Sequence, residues 1–319
     1  MHKIAVILPV YNGCRYLEQS IVSVLNQTLS PFEFLICDDG STDKSIDTIK
    51  NIQQKYPGRI KLLVNMKNLG LFATLNILLE AATANLVHIW SQDDIMHPEC
   101  LSECLKFHSN NPNVGMSYHS VEYIDENNNI IRNESIDNTP QIIPVQLYLN
   151  ICIRFGCITD NISTVTIDKT KIKNIGFFNK DLKVSGDFEF WTRIAQNSDI
   201  GRIDKKLIYL RRHQQQLSRS YSSIYPRIAE DMEIHAKIIS LLMGKEKSQG
   251  IKFNKYKTQP SYFNDLLFLI SKKEYIEAKK AFMLLNANTN ILSLFLRWSI
   301  FTISRKFKVD KKLIRILTT

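Results

Sequence analysis

The chain opens as an alternation of short apolar runs with longer segments whose apolar residues recur every three or four positions. Lys3 to Val10, KIAVILPV, is a β-branched run closed by Pro9, the pattern of a strand buried on both faces. Beyond Tyr11-Asn12-Gly13, the spacing of Leu17, Ile21, Val24 and Leu25 predicts a helix ending near Gln27. The alternation then repeats. Phe32 to Cys37 (FEFLIC) reads as a second strand, Ser45 to Tyr56 as a helix with a polar face, and Arg59 to Asn65 as a third strand. Leu71 to Ala84 is helical, Leu86 to Trp90 (LVHIW) is a fourth strand, and Pro98 opens a helix through His108. Strands alternating with helices predict an α/β fold with a parallel sheet, whose ligands gather beyond the carboxyl ends of the strands.

Two later stretches break this rhythm. Between Asn110 and Pro144 the pattern loosens into strand-like and Asn-rich pieces, with Asp125-Glu126-Asn127-Asn128-Asn129 as a hairpin tip. From Tyr225 onward the chain reads as mostly helical and basic, with apolar clusters at Leu266 to Ile270 and Phe295 to Phe301.

Composition narrows the class. With 319 residues, 44% hydrophobic and 23% charged, the chain can bury a sizeable core, which excludes a small stapled scaffold and wholesale disorder. The net charge of +10 is unevenly placed: residues 1–224 hold 23 Lys and Arg against 23 Asp and Glu, and residues 225–319 hold 18 against 8. Such a tail suggests an anionic partner. A stretch bearing Phe295, Trp298 and Phe301, followed by Arg305, Lys306, Lys308, Lys311, Lys312 and Arg315, suits an anchor lying on an anionic membrane surface, or a helical subdomain with its basic face in water. No RNA- or DNA-binding motif accompanies the charge, so no nucleic acid partner is expected. The longest apolar stretch, Ile291 to Ile303, is interrupted and too short for a membrane span, and no export signal opens the chain. The expected location is the cytoplasm, with the tail offering attachment to the inner face of the cell membrane. Six cysteines without a CxxC pair fit a reduced compartment; Cys100 and Cys104 stand four apart, no second ligand pair with zinc spacing follows, and they read as core thiols.

Four polar clusters carry the candidate chemistry. Asp38-Asp39-Gly40-Ser41-Thr42-Asp43 follows a strand, where two carboxylates can accept hydrogen bonds from a base and ribose, or simply form a capped turn. Ser91-Gln92-Asp93-Asp94 suits a hard divalent cation shared with a diphosphate, or caps the next helix. Asp187, within Ser185-Gly186-Asp187-Phe188-Glu189-Phe190-Trp191, has aromatic neighbours whose burial raises carboxylate basicity, with Glu189 as the rival base. Arg211-Arg212-His213 can meet a phosphate or a metal, or form a solvated face. No GxGxxG follows the first strand and no GxxxxGK[ST] occurs, which disfavours dinucleotide dehydrogenases and P-loop enzymes.

Taken in order, these segments resemble the family 2 glycosyltransferases, inverting enzymes with the GT-A fold, over residues 3 to 220. The similarity rests on Pro9-Val10-Tyr11-Asn12, Leu25-Asn26-Gln27-Thr28, Asp38 to Asp43, and Asn68-Leu69-Gly70 followed by Asn76. Asp93-Asp94 stands where the metal-binding DxD belongs, Gly186-Asp187 where the catalytic ED pair belongs, and Arg211-Arg212-His213 with Ser218 resembles the closing RxH-type signature. Ser91 and Gly186 depart from the pattern by replacing the first acidic residue of each acidic motif. The resemblance implies a GT-A catalytic domain over residues 1–224, a Rossmann-like mixed sheet flanked by helices, with a helical C-terminal extension over 225–319. It implies a UDP- or dTDP-linked nucleotide-diphosphate sugar donor, with Pro9, Tyr11, Asp38 and Asp39 at base and ribose, and Asn68, Gly70, Asn76, Asp93, Arg211 and Arg212 also on the donor. It further implies Mn²⁺ or Mg²⁺ on Asp93, Asp94 and His213, and Asp187 as general base. The implied acceptor is a glycan or lipid-linked glycan in surface-polysaccharide assembly, O-antigen or capsule. The alternative is a catalytically weak scaffold or binding subunit of such an assembly complex. Nothing in the sequence fixes an oligomeric state.

Overall fold

The structure, a computed structural model, describes residues 2–131, 137–159, 161–213 and 221–306. The chain falls into two compact units, one of residues 1–148 and 159–214, the other of residues 149–158 and 215–319.

The first unit follows the expected alternation through its opening half: β1 (Ile4–Val10), α1 (Leu17–Leu25), β2 (Glu33–Asp38), α2 (Ser45–Lys55), β3 (Lys61–Val64), α3 (Leu71–Ala81) and β4 (Leu86–Ile89). It continues with β5 (Ile95–Met96), α4 (Cys100–Asn110), β6 (Val114–Ile124), β7 (Ile130–Ile131) and β8 (Ile142–Ile143), after which α5 (Val145–Phe155) begins in this unit and passes, from residue 149, into the second. Then come β9 (Val165–Asp168), α6 (Lys169–Ile172), α7 (Gly186–Ala195) and β10 (Asp199–Arg211). Among the described residues the ten strands form one sheet in the order β3-β2-β1-β4-β9-β6-β10-β5, with β7 bonded to β6 and β8 to β10.

Burial explains the strand pattern. Ile4, Val6, Leu8 and Val10 of β1 cluster with Leu17, Ile21 and Val24 of α1, while α3, with Leu75, Leu78 and Leu79 buried, packs against β1 as well. With helices claiming both of its faces, β1 has no polar side, and each buried Leu or Ile contributes about 1.5–3 kcal/mol.

The sheet is mixed rather than parallel throughout. β1 pairs in parallel with β2 and β4, and β2 with β3, but β9 runs antiparallel to both neighbours, β4 and β6. Two successive reversals leave β4 and β6 running the same way, and β10 is parallel to β6. The carboxyl ends of β1, β2, β4, β6 and β10 therefore share one edge. The helix α7 precedes β10 through only three residues, so it runs opposite to that strand and its N-terminus returns to the same edge. The predicted hairpin tip is present: Asp125 Oδ1 accepts from the Asn127 and Asn129 amides between β6 and β7.

The second unit contains α8 (Ile224–Leu241), α9 (Gly244–Phe253), α10 (Gln259–Ser271), α11 (Tyr275–Asn288) and α12 (Ile291–Lys306). Its core joins Ile228, Tyr262, Phe263, Leu266, Leu269, Ala278, Ala281, Leu285 and Leu294. Trp298 and Phe295 of α12 place their rings 5.1 and 5.8 Å from Phe263, and Trp298 Nε1 donates to Asn264 Oδ1 at 2.7 Å. Two of the three aromatic residues expected at a membrane surface thus make contacts inside their own helical unit. Among the described residues no helix is long and apolar enough to cross a membrane. Lys308, Lys311, Lys312 and Arg315, like Ser218, lie outside the described residues.

Candidate active site

Hydrogen bonds stitch the loops at the shared sheet edge into one surface. After β1, the Asn12 amide donates to Ser41 Oγ, the Thr42 amide to Asn12 Oδ1, the Gly13 amide to Ser45 Oγ and the Cys14 amide to Asp43 Oδ2. Asn12 takes a positive φ of 49°, a conformation Asn tolerates better than most residues. The Tyr11 amide donates to Gln92 Oε1 at 3.0 Å and Gln92 Nε2 donates back to the Tyr11 carbonyl, tying the loop after β1 to the loop after β4. The Tyr11 side chain itself remains 44% exposed at this seam, and Pro9 is half-buried beneath it in β1.

The two carboxylates ending β2 are buried and do different work. Asp39 accepts from Asn65 Nδ2 and the Leu69 amide on Oδ1, and from the Gly70 amide on Oδ2, all at 2.8–2.9 Å. It thereby fixes the turn that starts α3, where Gly70 adopts φ 91° and Asn68 is exposed. Asp38 Oδ2 accepts from the Ser41 amide, while its fully buried Oδ1 has no hydrogen-bond partner.

Asp93 and Asp94 also diverge. Asp94 is 2% exposed, with Oδ1 accepting from the Arg211 amide at 3.0 Å and Oδ2 from Ser163 Oγ at 2.8 Å. Burial pushes its carboxyl up to about 7, against the pull of those hydrogen bonds. Asp93 keeps its side chain 22% exposed and sets Oδ2 at 3.5 Å from His213 Nε2. Burial raises its carboxyl above the ordinary value, and the neighbouring His213 and Arg211 draw it back. His213 is 6% exposed and neither ring nitrogen makes a hydrogen bond. A carboxylate oxygen and an unpartnered imidazole nitrogen facing each other form a donor set that a divalent cation accepts, since adjacent ligands of a small six-coordinate cation stand about 3 Å apart. On that geometry the residues present fit such an ion.

Arg211, the last residue of β10, is 1% exposed. Its guanidinium donates to the Asp93 and Asp125 carbonyls and to Gln19 Oε1, and lies 4.4 Å over the Tyr16 ring, which is 5.3 Å from the His213 ring. It is a strut between the loops after β4 and β6 and the helix α1. Arg212 stacks instead on Tyr123, 4.3 Å from its ring, and is half-buried.

Asp187 sits in the first turn of α7, half-buried, with Oδ1 accepting the Phe188 amide. Phe190 and Trp191 behind it are fully buried, and Phe178 lies 4.5 and 5.6 Å from their rings and 5.4 Å from Phe72. Asn76 of α3 clips this layer in place by accepting from the Phe178 amide and donating to its carbonyl. A Cβ on Gly186 would meet the Phe72 ring at 2.6 Å, so glycine here lets α3 and α7 approach. The rival Glu189 is occupied, because both its oxygens accept from Arg193 Nε, whose guanidinium also donates to the Ile175 and Phe177 carbonyls.

One chain of contacts therefore runs from Asp39 through the turn at Gly70 and α3 to the start of α7. A second runs from Tyr11 through Gln92 to Asp93, His213 and Arg211. Tyr16, Gln19 and Ser163, which hold the second chain together, had no signal in the sequence: each is a single polar residue in an ordinary helix or turn.

The description of glycosyl transferase family 2 matches residues 5–164. An uncharacterised glycosyltransferase of Haemophilus influenzae is 26% identical over 223 residues, covering 69% of this chain and 68% of the relative. Other curated glycosyltransferase relatives match over shorter stretches, and the chain covers 39% and 52% of two of them. Among solved structures, S. aureus TarS 1-349 in complex with UDP-GlcNAc superposes with a TM-score of 0.64 at 17% identity, covering 96% of this chain and 92% of that one. A mannosyltransferase from Pyrobaculum calidifontis in complex with GDP-Man and Mn²⁺ superposes with a TM-score of 0.57 at 16% identity, covering 96% and 88%.

Proposed function

Because the chain belongs to glycosyl transferase family 2 and is a glycosyltransferase of GT-A fold, we propose that it transfers a sugar from a nucleotide-diphosphate donor to a glycan hydroxyl with inversion. The observation that carries this reading is the approach of Asp93 Oδ2 to Nε2 of the buried His213, whose ring nitrogens make no hydrogen bond, in the loops that follow β4 and β10.

In this reading the exposed Tyr11 ring offers a stacking face to the base, with Pro9 and Asp38 behind it. Asp39 positions the Asn68–Gly70 turn against the donor, and Asn76 holds α3 to the α7 entrance. Asp93 and His213 hold the divalent cation, Mn²⁺ or Mg²⁺, which when bound supplies countercharge for the diphosphate leaving group. Asp94 and Arg211 are positioning residues: they set the Asp93 backbone and the end of β10, while Arg212 remains nearer to solvent for the phosphates. Asp187 takes the proton of the acceptor hydroxyl as its oxygen bonds to the anomeric carbon. The bond from that carbon to the β-phosphate oxygen breaks on the opposite side, releasing the nucleoside diphosphate in a single displacement.

The donor is assigned to the UDP or dTDP class, and the acceptor to a glycan or lipid-linked glycan of surface-polysaccharide assembly met at the inner membrane face. TarS and the mannosyltransferase, solved with UDP-GlcNAc and with GDP-Man and Mn²⁺, support a nucleotide-sugar donor and a divalent ion. Incubating the chain with UDP-, dTDP- and GDP-linked sugars and Mn²⁺, and following the anomeric proton by NMR, tests this. Slow transfer to water should release first the anomer opposite to that of the donor. Release of the retained anomer contradicts the single displacement.

A further inference from the structure

A second set of metal-binding side chains lies in the core of the first unit, behind the site described above. His88 of β4, Cys100 and Cys104 of α4, and His119 of β6 are all buried, none more than 1% exposed, and their ligand atoms lie within 4.8 Å of one another. The two cysteines are one helical turn apart and share a face of α4. The two histidines stack across the sheet with ring centroids 5.9 Å apart and planes 10° from parallel.

The histidines are oriented as ligands are. His119 Nδ1 lies 3.0 Å from the Ser120 carbonyl, which can only accept, so the ring proton is on Nδ1 and the bare Nε2 faces Cys100 Sγ at 3.7 Å. His88 Nδ1 bonds Thr166 Oγ1 at 2.9 Å, and its fully buried Nε2 has no hydrogen-bond partner. Outer hydrogen bonds on Nδ1 that leave Nε2 pointing at a common centre are the arrangement by which metal-ligating histidines are fixed.

We propose that His88, Cys100, Cys104 and His119 form a structural zinc site. Two sulfur and two nitrogen donors match the preference of Zn²⁺ for a closed tetrahedron. Bond lengths of about 2.3 Å to sulfur and 2.0 Å to nitrogen set ligand separations near 3.3–3.8 Å, so the widest pair closes by about 1 Å on binding. With no open position and no path to solvent, the ion pins α4 to β4 and β6, the strands on either side of β9. β4 leads into the loop that carries Asp93.

Zinc analysis of the wild-type chain, grown with zinc and dialysed against a chelator, tests the assignment together with X-ray absorption at the zinc edge. The expected result is about one zinc per chain in a shell of two sulfurs and two nitrogens, and a thiolate-to-metal charge-transfer band after replacement by Co²⁺. Asp93 and His213 supply no sulfur, so binding there cannot mimic the signal. Cys14→Ser with Cys157→Ser should keep both readouts, and Cys100→Ser with Cys104→Ser should lose them. A wild-type chain that holds no zinc and takes up no Co²⁺ after reduction, or whose zinc shell contains no sulfur, overturns the proposal, whether or not the cysteine variants fold.

Discussion

At the scale of single residues, the site assigns different work to neighbouring carboxylates through what each one touches. Glu189 gives both oxygens to Arg193, whereas Asp187, two residues earlier, stands at the helix entrance. Asp187→Asn is expected to leave donor affinity unchanged and to lower turnover by about 10²–10⁴-fold, measured as nucleoside diphosphate release against donor titration. Glu189→Gln is expected to do the reverse: turnover per folded molecule persists, and denaturant unfolding shows a loss of about 1.5–3 kcal/mol from the broken charge-assisted pair. If Asp187→Asn retains near-normal transfer, the base lies elsewhere. The sequence displayed these acidic clusters because each is contiguous. It could not display which member of the Asp93-Asp94 pair faces inward, since the partner that decides it, Ser163, is 69 residues away and is brought to Asp94 only by folding.

At the scale of elements, the contact between α3 and α7 depends on the absence of a side chain at Gly186. Gly186→Ala places a Cβ at 2.6–2.8 Å from three atoms of the buried Phe72 ring, and overpacking of this kind costs about 1–3 kcal/mol. Denaturant titration should show that loss, and Phe72→Leu in the same chain should recover part of it. No recovery means the cost arises in the α7 backbone. The α8–α10 contact carries a pH signature. Burial pushes His235 down to about 4, with Tyr262 Oη 3.2 Å from its Nδ1 and Asp231 one turn earlier on α8. The unfolded chain protonates this histidine near 6.5 and the folded one does not, so stability is full above that pH and falls as pH drops toward 4, by up to about 3 kcal/mol. His235→Gln should flatten this part of the thermal stability profile, and an unchanged slope removes His235 as its source. β1 to β4 were legible because each is a short, mainly apolar run set between helical periodicities and bounded by turn residues. β10 was not, because Asp204-Lys205-Lys206 interrupts its apolar pattern with exposed charge. The zinc ligands were hidden for a related reason: two arrive singly on separate strands, so no spacing rule links them to Cys100 and Cys104.

At the scale of the whole molecule, the candidate catalytic residues are carried to one edge of one sheet by the carboxyl ends of β1, β2, β4 and β10 and by the start of α7. The central claim is that this edge holds a nucleotide diphosphate through a cation on Asp93 and His213. Titrating UDP, dTDP and GDP into the wild-type chain and into Asp93→Ala by calorimetry, each with and without Mn²⁺, addresses it most directly. The account predicts that at least one nucleotide binds the wild type only when Mn²⁺ is present, and that Asp93→Ala, folded by circular dichroism, loses this metal-dependent binding. Nucleotide affinity equal with and without the ion, or unchanged in Asp93→Ala, would contradict it.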